Sequence, residues 1–130
     1  MFKVSEATAI ALHSMIYISK QGGKYVSLKP IAQKFKISEH HLSKVLQRLV
    51  KAGFLESAKG PKGGFKASPD KKNATFLEIY EAIEGKTEYY SCLFSSNTSD
   101  CPNCIMGDFL KKAGSDFYDF MKNRKISDVR

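Results

Sequence analysis

The sequence predicts a mainly α-helical protein with one small β-hairpin and a long C-terminal helix. Three observations carry this expectation. First, Leu28, Ile31, Ala32 and Phe35 fall at i, i+3, i+4, i+7, and Leu42, Val45, Leu46 and Leu49 repeat that spacing. Each set is the apolar stripe of a helix. Second, the β-capable runs 54–58 and 65–67 flank the turn Lys59-Gly60-Pro61-Lys62-Gly63-Gly64, which is the pattern of a hairpin. Third, the stretches 5–20, 75–84 and 105–121 carry further helical signals.

The first of these, from Ser5 to about Lys20, is apolar at Ala7, Ala9, Ile10, Ala11, Leu12, Met15, Ile16 and Ile18, and Gln21-Gly22-Gly23 ends it. A helix apolar on most sides is buried on most sides, here against its own core and against a partner. Between the two striped helices, Lys36-Ile37-Ser38 breaks the pattern. Ser38 is a good N-cap, and Gly53 after Ala52 suits the left-handed position past a helix end. A short and a longer helix joined by about three residues form a helix-turn-helix. A basic hairpin directly after it reads as a wing, so 1–85 is expected to be a winged helix-turn-helix domain. Thr75-Phe76-Leu77-Glu78 is a capping box, and its helix runs to Glu84-Gly85. Residues 86–104 form a cysteine-bearing connector whose clearest loop is 94–100. The segment 105–130 is then a dimerisation helix and tail. That helix is expected to start near Ile105, with the stripe Met106, Phe109, Leu110, Ala113, Phe117, Phe120 and Met121. This is more apolar surface than solvent tolerates, and a symmetric dimer would bury it.

Charge is segregated. The chain carries a formal +8, and between Lys29 and Lys72 lie eleven of its 21 basic residues with only Glu39, Glu56 and Asp70 as acids. That window alone accounts for the whole net charge. A surface of one sign points to a polyanion, nucleic acid above all. The second helix of the pair presents Glu39, His40, Ser43, Lys44, Gln47 and Arg48 opposite its apolar stripe. Residues near its start, with Ser38, are placed to reach base edges in a major groove. Lys44 and Arg48, with Lys59 and Lys62 of the wing, suit phosphates. Pro61, Gly63 and Gly64 complete the set by letting the wing backbone approach closely. The same glycines do not make a nucleotide phosphate loop, because no strand feeds them and no helix opens from them.

Other classes fall away. No apolar run approaches 18 residues, no signal peptide is evident, and a cytoplasmic setting is expected. Neither a Ser/His/Asp triad nor paired carboxylates appear. The three cysteines, Cys92, Cys101 and Cys104, are spaced C-x8-C-x2-C within the connector. Thiolates on a wrapping loop suit an iron–sulfur cluster of two-iron or four-iron type. Zinc is the lesser alternative. A redox dithiol is a third reading, because Cys101-Pro102-Asn103-Cys104 precedes a helix start, where thiol pKa falls; a small thiol–disulfide oxidoreductase would follow, although its usual βαβ context is missing. The fourth ligand is open between Asp100, Asp108 and a residue of another subunit. His13, on the mostly apolar first helix, is either a packed histidine or that donor, since neutral imidazole binds iron and zinc.

Several segments together resemble one family. They are Ser5-Glu6-Ala7 with Ala11-Leu12-His13, the run Leu42-x-x-Val45-Leu46-x-x-Leu49-x-x-Ala52-Gly53-Phe54-Leu55, the wing Gly60-Pro61-x-Gly63-Gly64-Phe65, the segment Ala82-Ile83-Glu84-Gly85, and three cysteines followed by a helix. This resembles the Rrf-two family of bacterial winged-helix regulators across residues 1–124. The resemblance implies a homodimer joined through the terminal helix, a pseudo-palindromic DNA operator, the 38–50 helix in the major groove and the wing in the minor groove. In the sensing members three cysteines hold an iron–sulfur cluster whose state sets DNA affinity; carried over, these are Cys92, Cys101 and Cys104. Other members, on the cysteine-metabolism branch, are cluster-free and controlled by a partner protein. The chain departs from the sensing pattern at four places. Gly107 stands where the iron–sulfur assembly branch has a histidine ligand, Ala9 near where the nitric-oxide-sensing branch supplies an aspartate from the partner subunit, Cys101 is closer to the third cysteine than is usual, and Ser43 stands where a glutamate reads a base. His13 and Glu6 are the strong donors left on the first helix, and His13 of the partner subunit is the expected fourth ligand.

Overall fold

A computed structural model describes residues 3–86, 105–106 and 108–130. The elements run α1 (Glu6–Ser19), α2 (Leu28–Phe35), α3 (Glu39–Lys51), β1 (Leu55–Ala58), β2 (Gly64–Ala67), α4 (Phe76–Glu84) and α5 (Phe109–Asn123), with 3-10 turns at Pro69–Lys71 and Ile126–Asp128. The expected helices form for the expected reasons. Ser5 Oγ accepts from the Thr8 N–H, Ser38 Oγ accepts from the His41 N–H at 3.0 Å, and Thr75 and Glu78 make the reciprocal capping box. Gly53 leaves α3 with φ +89°. The turn between α2 and α3 is closed by Lys36 in the left-handed region, the one non-glycine among the described residues with positive φ.

One core holds the winged domain together. Ile10, Ala11, Met15 and Ile18 of α1 meet Ile31 and Ala32 of α2, the α3 stripe Leu42, Val45, Leu46 and Leu49, and Phe65 of the wing. The strands pair antiparallel, Leu55 opposite Ala67 and Ser57 opposite Phe65. Val26, just before α2, adds a bridge to the outer side of β2 by exchanging hydrogen bonds with Phe65 at 2.7 and 2.8 Å. The sequence carries no signal for this third strand position, because a single bridging residue leaves no periodicity.

The C-terminal segment differs from expectation in three ways. α5 begins at Phe109 rather than near Ile105, and Ile105 is 90% exposed. Its stripe does not form one outward face. Met121 is buried with Leu77 and Tyr80 of α4, and Phe117 packs edge-on against Tyr80 at 5.3 Å. Half of the stripe therefore folds back onto its own domain, leaving Phe109 and Phe120 exposed. Finally, the tail is structural. The Phe76 N–H donates to the Arg124 carbonyl, the Ile126 N–H donates to the Ala74 carbonyl, and Ile126, 1% exposed, joins the main core.

Candidate nucleic-acid interface and the outer face of the first helix

The α2–α3 pair and the wing place most of the basic window on exposed surface. Glu39, His40, Lys44 and Gln47 of α3 are exposed and Ser43 is half-buried. Ser38 is exposed too, but its hydroxyl oxygen is engaged in capping α3. At the wing tip Lys59, Gly60, Pro61 and Lys62 are all exposed. Lys66, further down β2, is occupied by Glu56 at 3.7 Å and by the Tyr25 ring. On the wing, Lys59 and Lys62 are thus the exposed cations at the tip without such a partner among the described residues, and Lys44 is exposed on α3.

Two groups of residues in this region also make contacts within the chain that the sequence does not show. The glycines at the base of the wing serve close approach within the chain. A Cβ at Gly63 would collide with the Ala58 carbonyl, and one at Gly64, with φ +135°, would collide with the Val26 carbonyl. They are what lets β2 run between β1 and Val26. Arg48, expected on a phosphate, is exposed as well, and its Nη2 donates to the Ile83 carbonyl in the last turn of α4. Carbonyls there lack intrahelical partners, and a cation is favoured at that end of the helix dipole.

The same turn of α4 holds α1. Glu84 Oε2 accepts from the Ser5 N–H at 2.9 Å and from the Thr8 hydroxyl at 2.7 Å. Burial works to raise the Glu84 pKa, but the Ser5 and Thr8 hydrogen bonds and the charge of Lys3 outweigh it, and the carboxyl sits below its ordinary value. The Ala-Ile-Glu-Gly segment is therefore a junction: Ile83 answers to α3, Glu84 to α1, and Gly85, with φ +82°, turns the chain away.

On the far side of α1 stands His13. It is exposed, its ring lies edge-on to Phe35 at 5.3 Å, and its Nδ1 is 2.8 Å from the Ala9 carbonyl. A carbonyl only accepts, so Nδ1 carries the proton and a neutral ring presents the Nε2 lone pair. The ring borders a cavity of about 210 Å³ lined also by Glu6, Ala9, Ile10, Phe35 and Ile37. Cys92, Cys101 and Cys104, and with them Asp100 and Gly107, lie outside the described residues. Asp108 is described and exposed, at the start of α5. Among the described residues no group of three or more histidine, cysteine or acidic side chains gathers into a metal site, and no helix is long and apolar enough to cross a membrane.

A helix-turn-helix followed by a hairpin, with the basic charge gathered on both, defines a winged-helix transcriptional regulator. A family described as "Rrf2: Iron-dependent Transcriptional regulator" matches residues 4–130, and the chain belongs to it. It is 27% identical over 131 residues to the HTH-type transcriptional regulator NsrR of Bacillus licheniformis, covering 98% of this chain and 91% of that one. Its fold matches that of CymR, the global cysteine regulator of B. subtilis, with a TM-score of 0.78 at 24% identity, over 98% of this chain and 95% of that one. The fold also matches T. potens IscR with a TM-score of 0.72 at 22% identity, over 98% and 85%. These relatives are regulators and not enzymes, which sets aside the oxidoreductase reading of Cys101 and Cys104.

Proposed function

We propose that the protein is a cytoplasmic, homodimeric regulator that binds a pseudo-palindromic operator and whose DNA affinity follows an iron–sulfur cluster held by Cys92, Cys101 and Cys104. The observation that carries the DNA half is the placement of Glu39, His40, Ser43, Lys44 and Gln47 on the exposed side of α3, next to Lys59 and Lys62 at the wing tip. In this reading α3 lies in the major groove, Ser43 and Gln47 read base edges, and Lys44, Lys59 and Lys62 meet phosphates. Ser38 orders the start of the helix, and Pro61, Gly63 and Gly64 shape the wing.

The sensing half is supported by the iron-dependent description of the family and by the donor chemistry. Three thiolates and one imidazole suit an iron–sulfur cluster. His13 fits as the fourth donor, from the partner subunit, because its Nδ1–H is held by the Ala9 carbonyl and its Nε2 is left for a ligand. A held second nitrogen is how ligating histidines are oriented. The cluster would supply reactivity toward oxygen, nitric oxide or iron status; the chain supplies the donors and the DNA surface.

The test is anaerobic reconstitution with iron and sulfide. The expected product is a brown protein that bleaches in air and whose operator affinity differs between the loaded and bleached forms. A colourless, iron-free protein with unaltered DNA binding would instead identify a cluster-free regulator. His13→Ala is expected to lower iron content or shift the visible spectrum; no change in either turns attention to Asp100, Asp108 or Glu6.

A further inference from the structure

We infer that Arg48 is a positioning residue rather than a DNA contact: it pins α3 to the last turn of α4 and carries the state of the cysteine-bearing segment to the DNA-reading face. The coupling half rests on the sensing reading above; the positioning half does not.

The geometry runs in one direction along the chain. Arg48 lies on α3 four residues beyond Lys44, on the same side of the helix. Its guanidinium nevertheless turns to the Ile83 carbonyl, 35 residues away in sequence. A charged donor on a carbonyl makes a stronger bond than a neutral one, and the helix dipole adds to it at this end. Ile83 itself is 6% exposed and anchored in the core, so its carbonyl is a fixed point. One residue on, Glu84 is bound to Ser5 and Thr8 of α1. Gly85 follows with φ +82°, and the sequence reaches Cys92 seven positions further on. The end of α4 is thus where α1 and α3 meet, and the cysteine-bearing segment follows it in the sequence. A pull on that segment acts first on the last turn of α4. Arg48 is the polar link from there to the helix that carries Ser43, Lys44 and Gln47.

The test uses the full-length protein and an operator selected by the wild type from a random-sequence pool. Arg48→Met keeps most of the stem and removes the donor. Operator affinity is measured against salt, for both the cluster-loaded and the cluster-free protein. A positioning role leaves the slope of log K against log salt unchanged. It also reduces the wild-type ratio between loaded and free affinities, about tenfold or more, to within about twofold at equal iron content. A slope shallower by about one, with the ratio kept, marks a phosphate contact and overturns the proposal. Should wild-type loaded and free proteins bind alike, the sensing reading and the coupling half fall, and the slope still decides between positioning and contact. Should Arg48→Met fail to fold, Arg48→Lys takes its place. Lysine keeps the charge but not the planar fork, so a reduced ratio at wild-type slope is expected, and a wild-type ratio overturns the proposal.

Discussion

Glu84 shows how much of this family's pattern is structural. Its carboxylate ties the start of α1 to the end of α4 through Ser5 and Thr8, and Thr8 is fully buried. Because its pKa is lowered in the folded protein, the charged form binds better folded than unfolded. The stabilisation is complete above the ordinary glutamate range, near about 4.3, and is lost as pH falls through the depressed folded value. Urea unfolding at neutral pH and at stepwise lower pH should show stability falling in that acid window. In Glu84→Gln this part of the fall should be missing, and an unchanged pH profile would separate Glu84 from acid stability. Gly64 supports a second prediction. Gly64→Ala must place a Cβ against the Val26 carbonyl at φ +135°, so the wing loses its register. The variant should fold in its helices, by far-ultraviolet circular dichroism, yet lose amide protection at Val26 and Phe65; retained protection would contradict the clash.

At the scale of elements, the proposed function has α3 and the wing divide the work of binding. Lys59→Ala and Lys62→Ala should each weaken operator and non-operator DNA alike, and each should make the salt slope shallower by about one. Ser43→Ala or Gln47→Ala should instead alter which sequence a random pool yields, with little change in slope. A uniform loss from the Gln47 change would remove it from base reading. Much of this was legible in the sequence. The stripes of α2 and α3, the caps at Ser38 and Thr75 and the Gly-Pro wing are local signals, each set by neighbours within a few residues, and the structure places those elements where the sequence predicts them. Apart from the start of α5, which falls at Phe109 and not near Ile105, what the sequence does not show is non-local. Arg48 reads there only as part of a polar face because its hydrogen-bond partner is a backbone carbonyl 35 residues away. Gly63 and Gly64 looked free to approach a ligand because Ala58 and Val26 crowd them only once the hairpin closes. Ile126 looked like part of a tail because a single apolar residue has no period, although its flanks, Lys125 and Asp128, are bonded to each other. Truncating it to alanine should cost about 2–5 kcal/mol, read as a lowered urea midpoint.

At the scale of the whole molecule, the question is what covers the surface α5 leaves open. The terminal helix has two apolar edges. One holds Met121 and Phe117 and is satisfied by Leu77 and Tyr80 of α4. The other shows Phe109 at 62% and Phe120 at 57% exposure, with Ile105 at 90% just before the helix. Phe120 meets Phe76 edge-on at 6.3 Å and keeps more than half of its surface exposed. Large apolar side chains lined along one helix edge are stabilised by exclusion from water, and a twofold partner would cover them with the same edge of its own α5. This division changes which substitution is informative. Phe117→Asp would place a charge against Tyr80 and damage the monomer itself, so loss of the dimer in that variant would be ambiguous. Phe109→Ser with Phe120→Ser removes apolar surface that the single chain does not bury, so circular dichroism and thermal unfolding of the monomeric unit should hold. Sedimentation at micromolar concentration should then move from dimer to monomer. Because two linked half-sites gain about a hundredfold or more over one, operator affinity should fall by that order, with half-site affinity kept. A double variant that remains dimeric would show that the two subunits meet elsewhere. The partly buried outer side of α1, where His13 borders its cavity, would then be the next surface to test.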